Sequence, residues 1–193
     1  EEIIALLQAR NIPVAGEEFP VHNSFYENVI HPALQEQTTM NGPSWVLSYL
    51  LDKTLLAPTI EPYVGKEDNL FIADGYFTTT IAYQSYLMQQ VPLEKLLEYS
   101  VDFKIPKPDL AIYIDVDPEE AMKRKNIEEG HDEGLDMFEK SLDKQHKLRD
   151  IFKTMAKENI YCNWQEVDGN RGIEVIRDDI IRIIKSKSSL ITF

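Results

Sequence analysis

Asp74 ends a short apolar run, residues 70–73, and a helix-like segment carrying Thr80, Tyr83 and Gln84 follows it directly. In a parallel α/β sheet, ligands bind beyond the carboxyl ends of strands, so Asp74 stands where a reacting group would sit. Its other reading is a cap for the next helix, a position that aspartate favours. Tyr49 and Lys53 lie four apart in a segment of helical character, which puts an aromatic ring and a cation on one face. They are equally well read as a half-buried tyrosine beside a solvated lysine. Lys123, Arg124 and Lys125 make the densest basic group of an acidic chain, with a solvated helix face as the plain alternative. His31, His131 and His146 show no metal-ligand spacing. The sole cysteine, Cys162, falls in an apparent strand and reads as a packing residue rather than a nucleophile.

The segments that must position these residues alternate between strand and helix. Strands are expected at 13–19, 70–73, 110–116 and 160–167, the third nearly continuous and β-branched, as in a sheet covered on both faces. Helices are expected at 1–10, at 23–37 with a kink or division at Pro32, and from an N-cap at Ser44 to about residue 56. Further helices are expected at 78–90, from Pro92 to 103, from Pro118 onward, at 136–159 and at 172–187. Alternation of this kind points to a parallel sheet wrapped by helices, a three-layer α/β/α arrangement.

A chain of 193 residues reads as a single domain, 1–193. A net charge of −13 argues against nucleic acid as a partner, because phosphate contacts need clustered lysine and arginine. No apolar run approaches the roughly 20 residues of a membrane span, so no membrane partner is expected. One cysteine allows no internal disulfide, and a reducing cytoplasm fits best.

Several words occur in an order that resembles the thymidylate kinase family of nucleoside-monophosphate kinases, which have the P-loop NTPase fold. Asp74-Gly75-Tyr76 with Ala82-Tyr83-Gln84 resembles that family's Asp-Arg-Tyr…Ala-Tyr-Gln. Ile105-Pro106-Lys107-Pro108-Asp109-Leu110 resembles its Leu-Pro-Lys-Pro-Asp-Leu, and Asp115-Val116-Asp117-Pro118-Glu119 its Asp-Val-Pro-Pro-Glu. Val167-Asp168-Gly169 before the last helix is also typical. The resemblance runs over almost the whole chain. It implies transfer of the ATP γ-phosphate to dTMP, giving dTDP, with ATP and Mg²⁺ as cofactors and a homodimer as the assembly.

The same resemblance assigns residues. Asp74 would hold Mg²⁺ or its waters, or order the acceptor phosphate. Thr80 stands where the family has a small polar residue near the nucleotide, with Gln84 in the same signature, and Tyr83 would pack on the deoxyribose. Tyr49 and Lys53 take the places of a Phe stacked on thymine and an Arg near the base or phosphate, although Lys cannot make the bidentate contact of an Arg fork. Phe19, Pro20 and His22 resemble a Phe-Pro segment that carries a phosphate-contacting basic residue. Arg124 stands where an arginine packs on the ATP adenine, and the segment around 126–137 resembles a lid that closes over ATP.

Two departures accompany these matches. The Gly-x-x-x-x-Gly-Lys-[Ser/Thr] loop does not occur in the chain. The resemblance would place it just before Glu1, so the first strand and the phosphate loop are expected to lie upstream of Glu1. Gly75 stands where the family has an arginine expected to clamp the acceptor phosphate, a contact worth about 1.5–3 kcal/mol per charge-assisted bond. That departure leaves an alternative open: a kinase-like homologue that binds nucleotide without normal dTMP turnover, or with altered acceptor choice.

Overall fold

The computed structural model describes residues 2–66, 69–127 and 136–187. Among the described residues, four strands form two separate parallel pairs. β1 (Val14–Glu18) runs beside β2 (Leu70–Asp74) in the register Val14↔Leu70 to Glu18↔Asp74, and β3 (Leu110–Asp115) runs beside β4 (Asn163–Asp168) in the register Leu110↔Asn163 to Asp115↔Asp168. Both ladders therefore finish on paired carboxylates at their carboxyl ends. The α/β class with parallel strands is as the sequence predicts. The full burial expected of residues 110–116 is not found: Leu110 to Tyr113 are half-buried and Ile114 is 41% exposed. The reason is that β3 has a single partner strand among the described residues.

Helices carry the rest of the chain. α1 (Glu2–Gln8) leads into β1, and a π-helical turn, Tyr26–Ile30, runs into α2 (His31–Leu34). The division expected at Pro32 occurs there, because proline has no N–H to continue the ladder and a wide π turn absorbs the loss. α3 (Gly42–Ile60) is longer than expected at both ends. Its cap is Asn41, whose Oδ1 accepts from the Ser44 N–H at 2.9 Å, while Gly42 and Pro43 form the first turn, where proline is tolerated. Pro58 lies inside the last turn and does not end the helix.

α4 (Phe77–Thr80) follows β2 and continues as a π-helical stretch, Ile81–Leu87. α5 (Leu93–Asp102), α6 (Pro118–Ile127), α7 (Leu142–Glu158) and α8 (Ile173–Lys187) complete the set. α7 starts later than the expected residue 136. Asp136 Oδ1 instead accepts from the Phe138 and Glu139 N–H groups and makes a turn, and Ser141 caps the helix through the Lys144 N–H.

The main core joins α3, α4, α5, α7 and β4 through Val46, Leu50, Phe77, Ile81, Leu96, Met155 and Trp164. A second cluster, Ile30, Leu34, Trp45 and Phe138, shares Tyr83 with the first. The seam between the two clusters is where the candidate site opens. Among the described residues, no helix is long and apolar enough to cross a membrane.

Candidate active site

At the carboxyl end of β2 the chain must turn sharply without losing contact with β1. Gly75 does this with a left-handed φ of +69°, and a Cβ there would stand 2.7 Å from the Phe19 carbonyl oxygen. Beside it, the Phe19 N–H donates to the Asp74 carbonyl at 2.7 Å, and the Tyr76 ring meets the Phe19 ring edge-on at 5.0 Å. The loop after β1 is fixed to α3 as well, since the Val21 N–H donates to Asp52 Oδ1 at 2.8 Å.

Asp52 and Lys53 are each about 1% exposed, and Lys53 Nζ donates to Asp52 Oδ2 at 3.0 Å. The ammonium lies 5.1 Å from the centre of the Phe19 ring and 5.2 Å from that of Tyr49, within reach of both π faces. Burial pushes the Lys53 ammonium below the ordinary lysine range, and the Asp52 carboxylate opposes that shift.

These groups border a cavity of about 180 Å³. Phe19, Tyr49, Tyr83 and Phe138 supply aromatic walls, Lys53, Thr79, Thr80 and Asp136 supply polar groups, and Gly75, Pro20 and Leu34 complete the lining. A closed cavity of about 150 Å³ holds one benzene ring, so the volume here is on the scale of a single six-membered ring. Tyr83 meets Phe138 edge-on at 4.9 Å. Burial, with the Tyr83 phenol and then Asp136 nearby, raises the Tyr49 phenol; burial and then Asp136 raise Tyr83. Both phenols are therefore protonated donors across the working pH range. Thr80 is 3% exposed, and its hydroxyl has no hydrogen-bond partner among the described residues. Gln84, one turn on, is 1% exposed and its Oε1 is likewise unpartnered. Buried polar atoms left this way call for a ligand or water.

The residues expected to act together thus divide into groups. Phe19, Tyr49, Lys53, Thr80 and Tyr83 meet at the cavity. Gln84 lies buried behind it, and Asp74 is exposed at the strand end beside Gly75. His22 is exposed and stacks on Tyr26 at 4.4 Å, outside the lining. Arg124 stands at the ends of β3 and β4: its Nη1 donates to the Gly169 carbonyl at 2.8 Å and its Nε to Glu120 at 2.9 Å. The lid expected around 126–137 falls largely on residues 128–135, which lie outside the described residues.

Asp52, Asp136 and Phe138 line or support the cavity without a signal in the sequence. Asp52 and Lys53 are adjacent, and adjacent helical residues do not normally face each other. Asp136 and Phe138 reach the cavity through the turn before α7, more than 50 positions from Tyr83, where helical periodicity pointed elsewhere.

Residues 1–180 match the thymidylate kinase family model. The chain belongs to the thymidylate kinase family. It is 27% identical over 155 residues to the thymidylate kinase of Ligilactobacillus salivarius, which covers 78% of this chain and 72% of that protein. It is 32% identical over 126 residues to the probable thymidylate kinase of Pyrobaculum calidifontis, 65% of this chain and 58% of that one. With the probable thymidylate kinase of Staphylothermus marinus it shares 29% over 171 residues, 86% of this chain and 80% of the relative. Membership makes this a kinase-family chain, of the transferases that serve nucleotide biosynthesis.

Proposed function

We propose that the protein transfers the γ-phosphate of ATP to dTMP, giving dTDP, and that the cavity between α3 and α4 is the acceptor site. The observation that carries this reading is the meeting of Tyr49, Lys53, Thr80 and Tyr83 around a ring-sized cavity at the end of β2. Phosphoryl transfer asks the protein chiefly to position two anions and to stabilise charge. Tyr49 offers a face for the base, Tyr83 a wall for the deoxyribose, and the unpartnered Thr80 hydroxyl a hydrogen bond within the cavity. Lys53, held by Asp52, supplies a donor that a carbonyl oxygen accepts.

Asp74 is the residue proposed to act at the phosphates. Magnesium commonly binds through one or two carboxylates together with substrate phosphates and waters. An exposed Asp74 at a strand end fits that mode, and no group of three His, Cys, Asp or Glu that could hold a metal occurs among the described residues. When bound, the ion would neutralise charge on the phosphates. Arg124, held by Glu120 and the Gly169 carbonyl, offers its planar guanidinium to the adenine.

Cys162, whose thiol burial pushes up to about 11, is unsuited to nucleophilic work. Leu47, Leu51 and Leu55 lie at i, i+4 and i+8 on the outer face of α3, each at least 43% exposed, and support a homodimer packed through helices. Gly75 favours a second reading, altered acceptor choice, because Lys53 is then the single cation among the described lining residues. A panel of deoxynucleoside monophosphates separates the two: dTMP should give the highest kcat/KM, and a clear preference for another acceptor would establish the second reading.

A further inference from the structure

We infer that Lys125 is a positioning residue for the acceptor cavity, acting through Glu139 on Asp136 and Phe138. This rests on the acceptor-site reading above. Lys125 lies in the last turn of α6 and pairs with Glu139 Oε1, 14 positions on. The other oxygen of Glu139 accepts from the Asp136 N–H at 3.0 Å. Asp136 Oδ1 in turn accepts from the Phe138 and Glu139 N–H groups at 2.7 and 2.8 Å. The chain of contacts ends at Phe138, 4% exposed, which stands edge-on against Tyr83 in the cavity wall.

The turn has other supports, and they act on different atoms. Lys144 Nζ and Gln145 Nε2 donate to the Met137 and Phe138 carbonyls at 2.9 and 3.1 Å, and the Met137 N–H donates to the Leu34 carbonyl at 3.1 Å. None of these meets the two carboxylates. Asp136 is pushed up by burial and by the nearby Glu139 charge, and the Glu139 and Phe138 N–H groups, then the Lys125 charge, oppose that shift. Two carboxylates in one tight turn repel each other unless a cation stands beside them. Lys125 supplies that cation from α6, so the cavity wall is held by the helix that also carries Arg124. Neighbouring residues of α6 would then serve the two nucleotides separately, Arg124 the donor and Lys125 the acceptor.

The test is Lys125→Met in the full-length protein, with Lys125→Arg as the conservative control. Removing the partly exposed pair should raise the acceptor KM about fivefold while kcat stays within about twofold. The amide protons of Phe138 and Glu139 should exchange faster by NMR, and Lys125→Arg should restore both readouts. Parent-like exchange at these amides, an unchanged KM, or a fall in kcat at constant KM would each overturn the inference. If the parent turns over no deoxynucleoside monophosphate, the function reading fails instead, and amide exchange still decides the role of Lys125.

Discussion

Lys53 and Asp52 are both about 1% exposed, and each is the opposite charge that compensates the other, beside the Val21 N–H on Asp52 and the two aromatic faces around Lys53. Truncating one partner of such a pair costs about 3–5 kcal/mol, far more than the net worth of an exposed pair. Lys53→Met should therefore lower unfolding stability by about that amount in urea titrations and weaken acceptor binding together. A loss under about 1 kcal/mol would mean that water reaches the Asp52 carboxylate. Gly75 sets the second residue-scale limit. Its left-handed φ of +69° and the Phe19 oxygen 2.7 Å from a would-be Cβ leave no room for a side chain on this backbone. Gly75→Ala should cost at least about 1–2 kcal/mol in the same titration. An arginine thus cannot enter here without movement of the Phe19 carbonyl.

Between elements, the strongest tie is at the end of β3. Arg149 of α7 donates from Nε and Nη2 to the two Asp115 oxygens at 2.6 and 3.0 Å and also pairs with Asp117, while Lys153 Nζ lies 2.8 Å from Asp115 and the Tyr113 hydroxyl donates to it at 3.1 Å. The Arg149 hydrogen bonds, against burial, hold the Asp115 carboxyl far below its ordinary 3.8. A depressed folded pKa gives stability that is present above the unfolded value and is lost as pH falls through the folded one. The parent should therefore lose stability below about pH 4, and Asp115→Asn should flatten that acid limb in urea titrations from about pH 6 to pH 3. An identical acid slope in both proteins would refute the linkage. Strand ends, the break at Pro32 and the face shared by Tyr49 and Lys53 were legible in the sequence, because period and proline act locally. The turn at Asp136 was not, since a carboxylate capturing two amides competes with helix within a span that periodicity also fits. Nor was the Asp52 to Lys53 pairing, which depends on Val21 arriving from a distant loop.

For the whole molecule, the outer stripe of α3 and the acceptor cavity lie on opposite sides of one helix. If a second copy covers Leu47, Leu51 and Leu55, Leu51→Glu should shift sedimentation from dimer to monomer, and a parent that sediments as monomer would remove the homodimer from the account. Chemistry at the cavity is read out by steady-state ADP release from the full-length protein with ATP, Mg²⁺ and dTMP. Release should depend on dTMP and fall at least about 100-fold in Asp74→Asn, the scale on which a lost electrostatic contact slows a reaction. Absence of ADP release with every deoxynucleoside monophosphate, or undiminished turnover in Asp74→Asn, would contradict the proposed transfer.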